Sequence, residues 1–172
     1  MNIQNKNYSA CAAAHSVFLP EPHFAEFYCM NITYPPYNPR IKKELGKEFI
    51  FDEIRKQWVR LTPEEWVRQN FLNYLIAVKQ YPPSLIAVEK EIRVGEMKKR
   101  FDILVYKADK PWLIIECKEM NVLLNEQVLQ QALNYNISLQ TTFILITNGN
   151  QHFGFTIEDG EINRIGEVPS YV

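Results

Sequence analysis

The sequence predicts an α/β fold in which helices flank a central mixed β-sheet. Three observations carry that prediction. The segments run in the order helix, three strands, helix, strand. The strands Phe101 to Tyr106 and Trp112 to Cys117 are apolar on both faces, and the short run Phe143-Ile144-Leu145-Ile146-Thr147 is apolar almost throughout. Strands with two apolar faces need helices packed on each side, and 172 residues at 47% hydrophobic suffice for the core of one domain.

Residues 1–46 hold the clusters Pro20-Glu21-Pro22 and Pro35-Pro36-Tyr37-Asn38-Pro39 and show neither helical nor strand period, so they read as an extended, poorly packed arm. Met30 within it is a candidate natural start. The domain is expected over 47–172. Glu48-Phe49-Ile50-Phe51 and Gln57 to Leu61, joined by the polar turn Asp52 to Lys56, predict an N-terminal β-hairpin. Thr62-Pro63-Glu64-Glu65 then starts a helix, with Thr62 as N-cap, Pro63 in the first turn and Glu65 closing a capping box. That helix runs to about Lys79 and ends at Tyr81-Pro82-Pro83. Strands over Leu85 to Val94, Phe101 to Tyr106 and Trp112 to Cys117 follow, then a helix over Asn125 to Leu139. The Phe143 strand, an Asn148-Gly149 turn and a strand over His152 to Ile157 complete the pattern.

Nineteen Lys and Arg stand against twenty Asp and Glu, a net charge of −1, so any nucleic-acid contact must come from a local patch rather than from the whole molecule's field. Cys11, Cys29 and Cys117 lack CxxC spacing, and His15, His23 and His152 match no ligand pattern. A disulfide scaffold and a structural zinc site are therefore not expected, and a reducing cytoplasm is. The run Ala10 to Leu19 is interrupted by His15 and too short to cross a bilayer, and no membrane partner is expected.

The chemistry concentrates in the strands Arg100 to Tyr106 and Trp112 to Lys118. If their hairpin is symmetric about Asp109, Tyr106 faces Trp112, Leu104 faces Ile114, and Asp102 faces Glu116. Two carboxylates side by side on one sheet face repel one another. A divalent cation relieves that repulsion, with Asp102, Glu116 and the backbone carbonyl of Cys117 as ligands. Alternation places Lys118 on the same face and Cys117 on the other. Lys118 could then lower the pKa of an attacking water or stabilise charge on a phosphate. The plainer reading makes Asp102 and Glu116 strand ends at the sheet rim, with Lys118 as their solvated counter-ion. Lys98, Lys99 and Arg100, at an expected turn leading into Asp102, are candidate contacts to a DNA backbone, with Arg40, Lys42 and Lys43 behind them.

Asp102 followed by Glu116-Cys117-Lys118 resembles the PD-(D/E)xK nuclease motif. More narrowly, Leu61 to Gln69, Val88 to Ile92, Lys99 to Ile103, Ile115 to Lys118 and Thr147-Asn148-Gly149, taken in order, resemble the N-terminal nuclease domain of type I restriction enzyme R subunits, the HSDR_N family. The resemblance implies a restriction-endonuclease-like core of αβββαβ order and Mg²⁺- or Mn²⁺-dependent cleavage of DNA phosphodiester bonds. It also implies an acidic metal ligand from the first helix, for which Glu64 and Glu65 are the candidates. Glu65 is engaged by the capping box, whereas Glu64 shares the stripe Val67, Phe71, Leu75 and Val78, so Glu64 is chosen.

On the second helix, spacing alone is equally consistent with a boundary glutamine and a core tyrosine. Gln131-Ala132-Leu133-Asn134-Tyr135, however, matches the family's Q-x-x-x-Y motif, which implies that Gln131 orients the site or touches DNA and that Tyr135 contacts backbone or braces the glutamine. Type I R subunits carry a translocating ATPase after the nuclease, but no Walker A sequence occurs here. The implied partners are DNA, separate helicase/ATPase or specificity subunits, and a second copy of the chain as a homodimer. The competing expectation is a nuclease-fold module that binds nucleic acid or protein without useful turnover.

Overall fold

In the computed structural model the described residues are 29–94 and 97–171. The chain opens with a three-stranded antiparallel meander: β1 (Ile41–Glu44), β2 (Lys47–Asp52) and β3 (Gln57–Arg60). Helix α1 (Pro63–Ala77) follows, then β4 (Ile86–Val88), a ribbon of β5 (Glu91–Val94) and β6 (Met97–Arg100), and β7 (Ile103–Lys107) with β8 (Lys110–Cys117). Helix α2 (Glu126–Leu139), β9 (Phe143–Thr147), β10 (His152–Glu158) and β11 (Glu161–Ile165) complete the fold. The central six-stranded sheet has the order β11-β10-β9-β8-β7-β4 and is mixed, since β8 and β9 are parallel and the other pairs antiparallel. This is the α/β architecture expected, with the αβββαβ order preserved through α1, β4, β7, β8, α2 and β9.

Alternation along the central strands divides the core in two. Ile103, Val105, Leu113, Ile115 and Cys117 pack with Val67, Phe71 and Leu75 of α1. Leu104 and Ile114 pack with Val128, Leu129 and Ala132 of α2. Both faces of β7 and β8 are thus dry, and the polar side chains at their ends are forced toward one end of the sheet. Thr62 caps α1 through its hydroxyl, which accepts from Glu65 N at 3.1 Å, and Asn125 caps α2 through Gln127 and Val128 N–H.

Several boundaries differ from the expectation. The strand foreseen over Leu85 to Val94 breaks at Glu89, whose φ is 47°, and the chain leaves the main sheet to form the β5–β6 ribbon. Lys98, Lys99 and Arg100 therefore lie on a strand rather than in a turn. The β7–β8 hairpin pairs Leu104 with Ile114 as foreseen, but a bulge after Val105 sets Tyr106 opposite Pro111 instead of Trp112. The bulge accommodates a two-residue turn in which Ala108 and Asp109 both take positive φ. Strands β1 and β11 were not foreseen.

Residues 29–40 form neither helix nor strand, but they are not poorly packed. Met30 is buried and donates its N–H to His152 O at 2.8 Å, while Ile32 and Tyr34 pack on the α1 side of the core. Aromatic contacts of Tyr34 with Phe71, Tyr74 and His152 replace the periodic signal that this segment lacks.

Candidate functional site: a carboxylate pair at the end of the sheet

Asp102 immediately precedes β7 and Glu116 lies near the end of β8, so the register Ile103 to Ile115 brings their positions level. Asp102 Oδ2 accepts from the N–H of Cys117 at 2.7 Å, which ties the carboxylate to the neighbouring strand. Glu116 is 3% exposed in total. Its Oε1 accepts from Lys118 Nζ at 2.8 Å and from Gln131 Nε2 at 2.5 Å, and its Oε2 is buried with no hydrogen-bond partner. Lys118 Nζ also donates to Gln131 Oε1 at 3.3 Å. The strand end and α2 therefore bring Asp102, Glu116, Lys118 and Gln131 together, and Cys117 turns to the opposite face as alternation requires.

Burial and the negative charge of Asp102 push the Glu116 carboxyl up to about 7 against the opposing pull of Lys118. Burial lowers the proton affinity of Lys118, but Glu116, Asp102 and Glu64 outweigh it and hold the ammonium above its ordinary value. Burial pushes the Cys117 thiol up, which makes it an inert core group. An orphaned buried carboxylate oxygen beside a second carboxylate fits a hard divalent cation, which completes its shell with carbonyl or water oxygens. Among the described residues no three His, Cys, Asp or Glu side chains are grouped closely enough to hold a metal ion without further ligands.

Glu64 and Glu65 exchange the surroundings expected of them. Glu65 is 4% exposed, and its carboxylate accepts from Arg55 at 2.6 Å, Gln69 at 2.8 Å and Arg68. It serves the interior rather than closing a capping box. Glu64 is partly exposed and takes Arg68 Nη2 at 3.1 Å, with burial and Asp102 holding its carboxyl above the usual range. Val78, placed on the buried stripe by spacing, is exposed beyond the helix end.

Arg68 is the residue that the sequence reading missed. Nearly fully buried, it reaches across the sheet end to Asp102 Oδ1 at 2.6 Å and also contacts Glu64 and Glu65. A second arginine, Arg55, joins Asp52 at 2.5 Å, Glu65 and Glu89. Five carboxylates, Asp52, Glu64, Glu65, Glu89 and Asp102, thus share two guanidinium groups. The available signal was a basic residue three and four positions after two acids, inside the apolar stripe of α1, where a charge needs a buried partner.

Among the foreseen DNA contacts, Lys98 pairs with Glu91 at 2.8 Å and Arg100 with Glu89 at 3.7 Å, both cations being well exposed. The side chains of Lys99 and Tyr135 lie outside the described residues. No described helix is long and apolar enough to cross a membrane.

The family model described as type I restriction enzyme R protein N terminus (HSDR_N) matches residues 63–169. One similar solved structure is the fragment of a putative HsdR subunit of a type I restriction enzyme from Vibrio vulnificus YJ016. It is 25% identical, with a TM-score of 0.49, over 64% of this chain and 24% of that one. This chain therefore spans 24% of that chain's length, and no curated protein matches. With the matched stretch running from the first turn of α1 past β11, the chain belongs to the family of type I restriction enzyme R protein N-terminal (HSDR_N) domains.

Proposed function

We propose that this domain is a Mg²⁺- or Mn²⁺-dependent deoxyribonuclease of PD-(D/E)xK type, acting in type I-like restriction or DNA defence in the cytoplasm. The observation that carries the reading is the buried, unpartnered Oε2 of Glu116 beside Asp102, with Lys118 held on the same carboxylate. Asp102 and Glu116 would hold the cation, helped by the Cys117 carbonyl and, through its exposed side, Glu64. When bound, the cation supplies Lewis acidity toward a phosphate oxygen and lowers the pKa of an attacking water. Lys118, whose ammonium is kept charged by Glu116, faces the charge that develops on the phosphate. Gln131 bridges Glu116 and Lys118 and so fixes both. Tyr135 would brace this arrangement, and Lys98, Lys99 and Arg100 would hold the DNA backbone. Separate helicase/ATPase or specificity subunits would deliver the substrate, and a homodimer would be needed to cut both strands at once.

A second reading rests on Arg68. Its guanidinium already neutralises Asp102 Oδ1, which favours a nuclease-fold module that binds nucleic acid or a partner without turnover. Cleavage of supercoiled plasmid in Mg²⁺ separates the two. Wild type should nick or linearise the plasmid, and Lys118→Ala should reduce the rate by orders of magnitude while still showing a cooperative melting transition. Intact plasmid with wild type, or undiminished cleavage by Lys118→Ala, would remove the proposed enzyme.

A further inference from the structure

The outer face of the β1–β3 meander carries chemistry that the carboxylate site does not use. Its register sets Lys42 opposite Phe49, Phe49 opposite Arg60, and Phe51 opposite Trp58. Because side chains alternate, these residues share one face, while Ile50 and Asp52 of the same strand turn inward and are fully buried. Arg40 lies 3.7 Å from the Phe51 ring centroid, and Lys42 lies 5.0 Å from that of Trp58. Trp58 remains 39% exposed and meets Phe51 edge-on at 5.4 Å.

We infer that this face binds single-stranded nucleic acid, with bases stacking on Trp58 and its neighbouring rings and phosphates on Arg40, Lys42 and Arg60. Charge complementarity selects the occupant. Arg40, Lys42, Lys47 and Arg60 line the face, and the acids that pair with Arg40 and Lys42, Glu53 and Glu44, are themselves exposed. Exposed ion pairs add little stability, so a phosphate exchanges for the carboxylate at small cost. The rings select a strand whose bases are unpaired, since a duplex hides its base faces. The meander is also fastened to the carboxylate site, because Asp52 accepts from Gln69 at 2.8 Å and Arg55 reaches Glu65 and Glu89. A strand on this face is thereby held in fixed relation to Asp102 and Glu116. The inference deepens the nucleic-acid part of the proposed function and rests on that reading only for its link to cleavage.

The test uses the full chain in EDTA with labelled oligothymidylate and oligouridylate of about 15 nucleotides, within the site sizes of such surfaces. Wild type should bind at least one of them and lose tryptophan fluorescence on doing so. Trp58→Ala should weaken binding by about 5- to 100-fold while still melting cooperatively, and Trp58→Phe should restore most of the affinity without the quench. Lys42→Ala with Arg60→Ala should weaken both oligomers and flatten the salt slope by about one unit or more. Absence of binding by wild type, or unchanged affinity in Trp58→Ala, would overturn the inference even if plasmid is cut. Face-dependent binding in a chain that never cuts would sustain the inference and overturn the nuclease.

Discussion

His152 shows how a single side chain can carry a pH dependence. It is 3% exposed, its Nδ1 lies 2.7 Å from Thr147 Oγ1, and burial lowers its pKa to about 4 from an ordinary 6.5. Between those values the unfolded chain binds a proton that the folded chain refuses. Its contribution is complete above pH 6.5 and is lost as pH falls toward 4, reaching about 3 kcal/mol, or roughly 1.4 kcal/mol per pH unit. Urea unfolding across this window should show the slope in wild type and a shallower one in His152→Gln. Equal slopes would assign the acid sensitivity elsewhere. At the same scale, the closeness of Asp102, Glu116 and Lys118 was legible because a hairpin register is a local rule, whereas Gln131 was singled out by the motif resemblance rather than by spacing. Arg68 was not legible, because its partner Asp102 is 34 positions away.

At the scale of elements, the helices were the most legible. Thr62 announces the cap of α1, and Val67, Phe71 and Leu75 repeat along it at helical spacing. The short strands were less so. Glu161-Ile162-Asn163-Arg164-Ile165 forms the edge strand β11, whose charges suit an unpaired edge but leave little hydrophobic pattern. The segment before β1 is packed although its sequence predicts a loose arm, because its contacts are aromatic and non-periodic. Its docking makes a prediction: Met30→Ala should cost about 2–5 kcal/mol, the usual range for emptying a buried methionine site. Calorimetry showing a change under about 0.5 kcal/mol, the scale of neutral surface substitutions, would return the segment to a loose arm. Gly154 offers a second check on the sheet, since a Cβ there would lie 2.6 Å from Ile165 and 2.7 Å from Leu145. Gly154→Ala should therefore destabilise by about 1–3 kcal/mol through overpacking between β9 and β11. A melting midpoint equal to that of wild type would show that the two side chains yield freely.

For the whole molecule, a cation shared by Asp102 and Glu116 would be linked to folding, because the unfolded chain has no such site. Mn²⁺ at about a hundred times its dissociation constant should stabilise the fold by about 2.7 kcal/mol. Glu116→Gln, which keeps the shape of the side chain and removes its charge, should abolish the shift. Identical midpoints of wild type in Mn²⁺ and in EDTA would count against the site. Sequence alone determined the αβββαβ order, the two-faced apolar strands and the juxtaposition of Asp102 with Glu116, since each follows from periodicity, capping or a short turn. Only the tertiary structure decided which glutamate of α1 enters the interior, how Arg55 and Arg68 distribute themselves over five carboxylates, and where the segment 29–40 docks. Those outcomes depend on groups distant in the chain, where the cost of burying a charge is met by partners that no local pattern specifies.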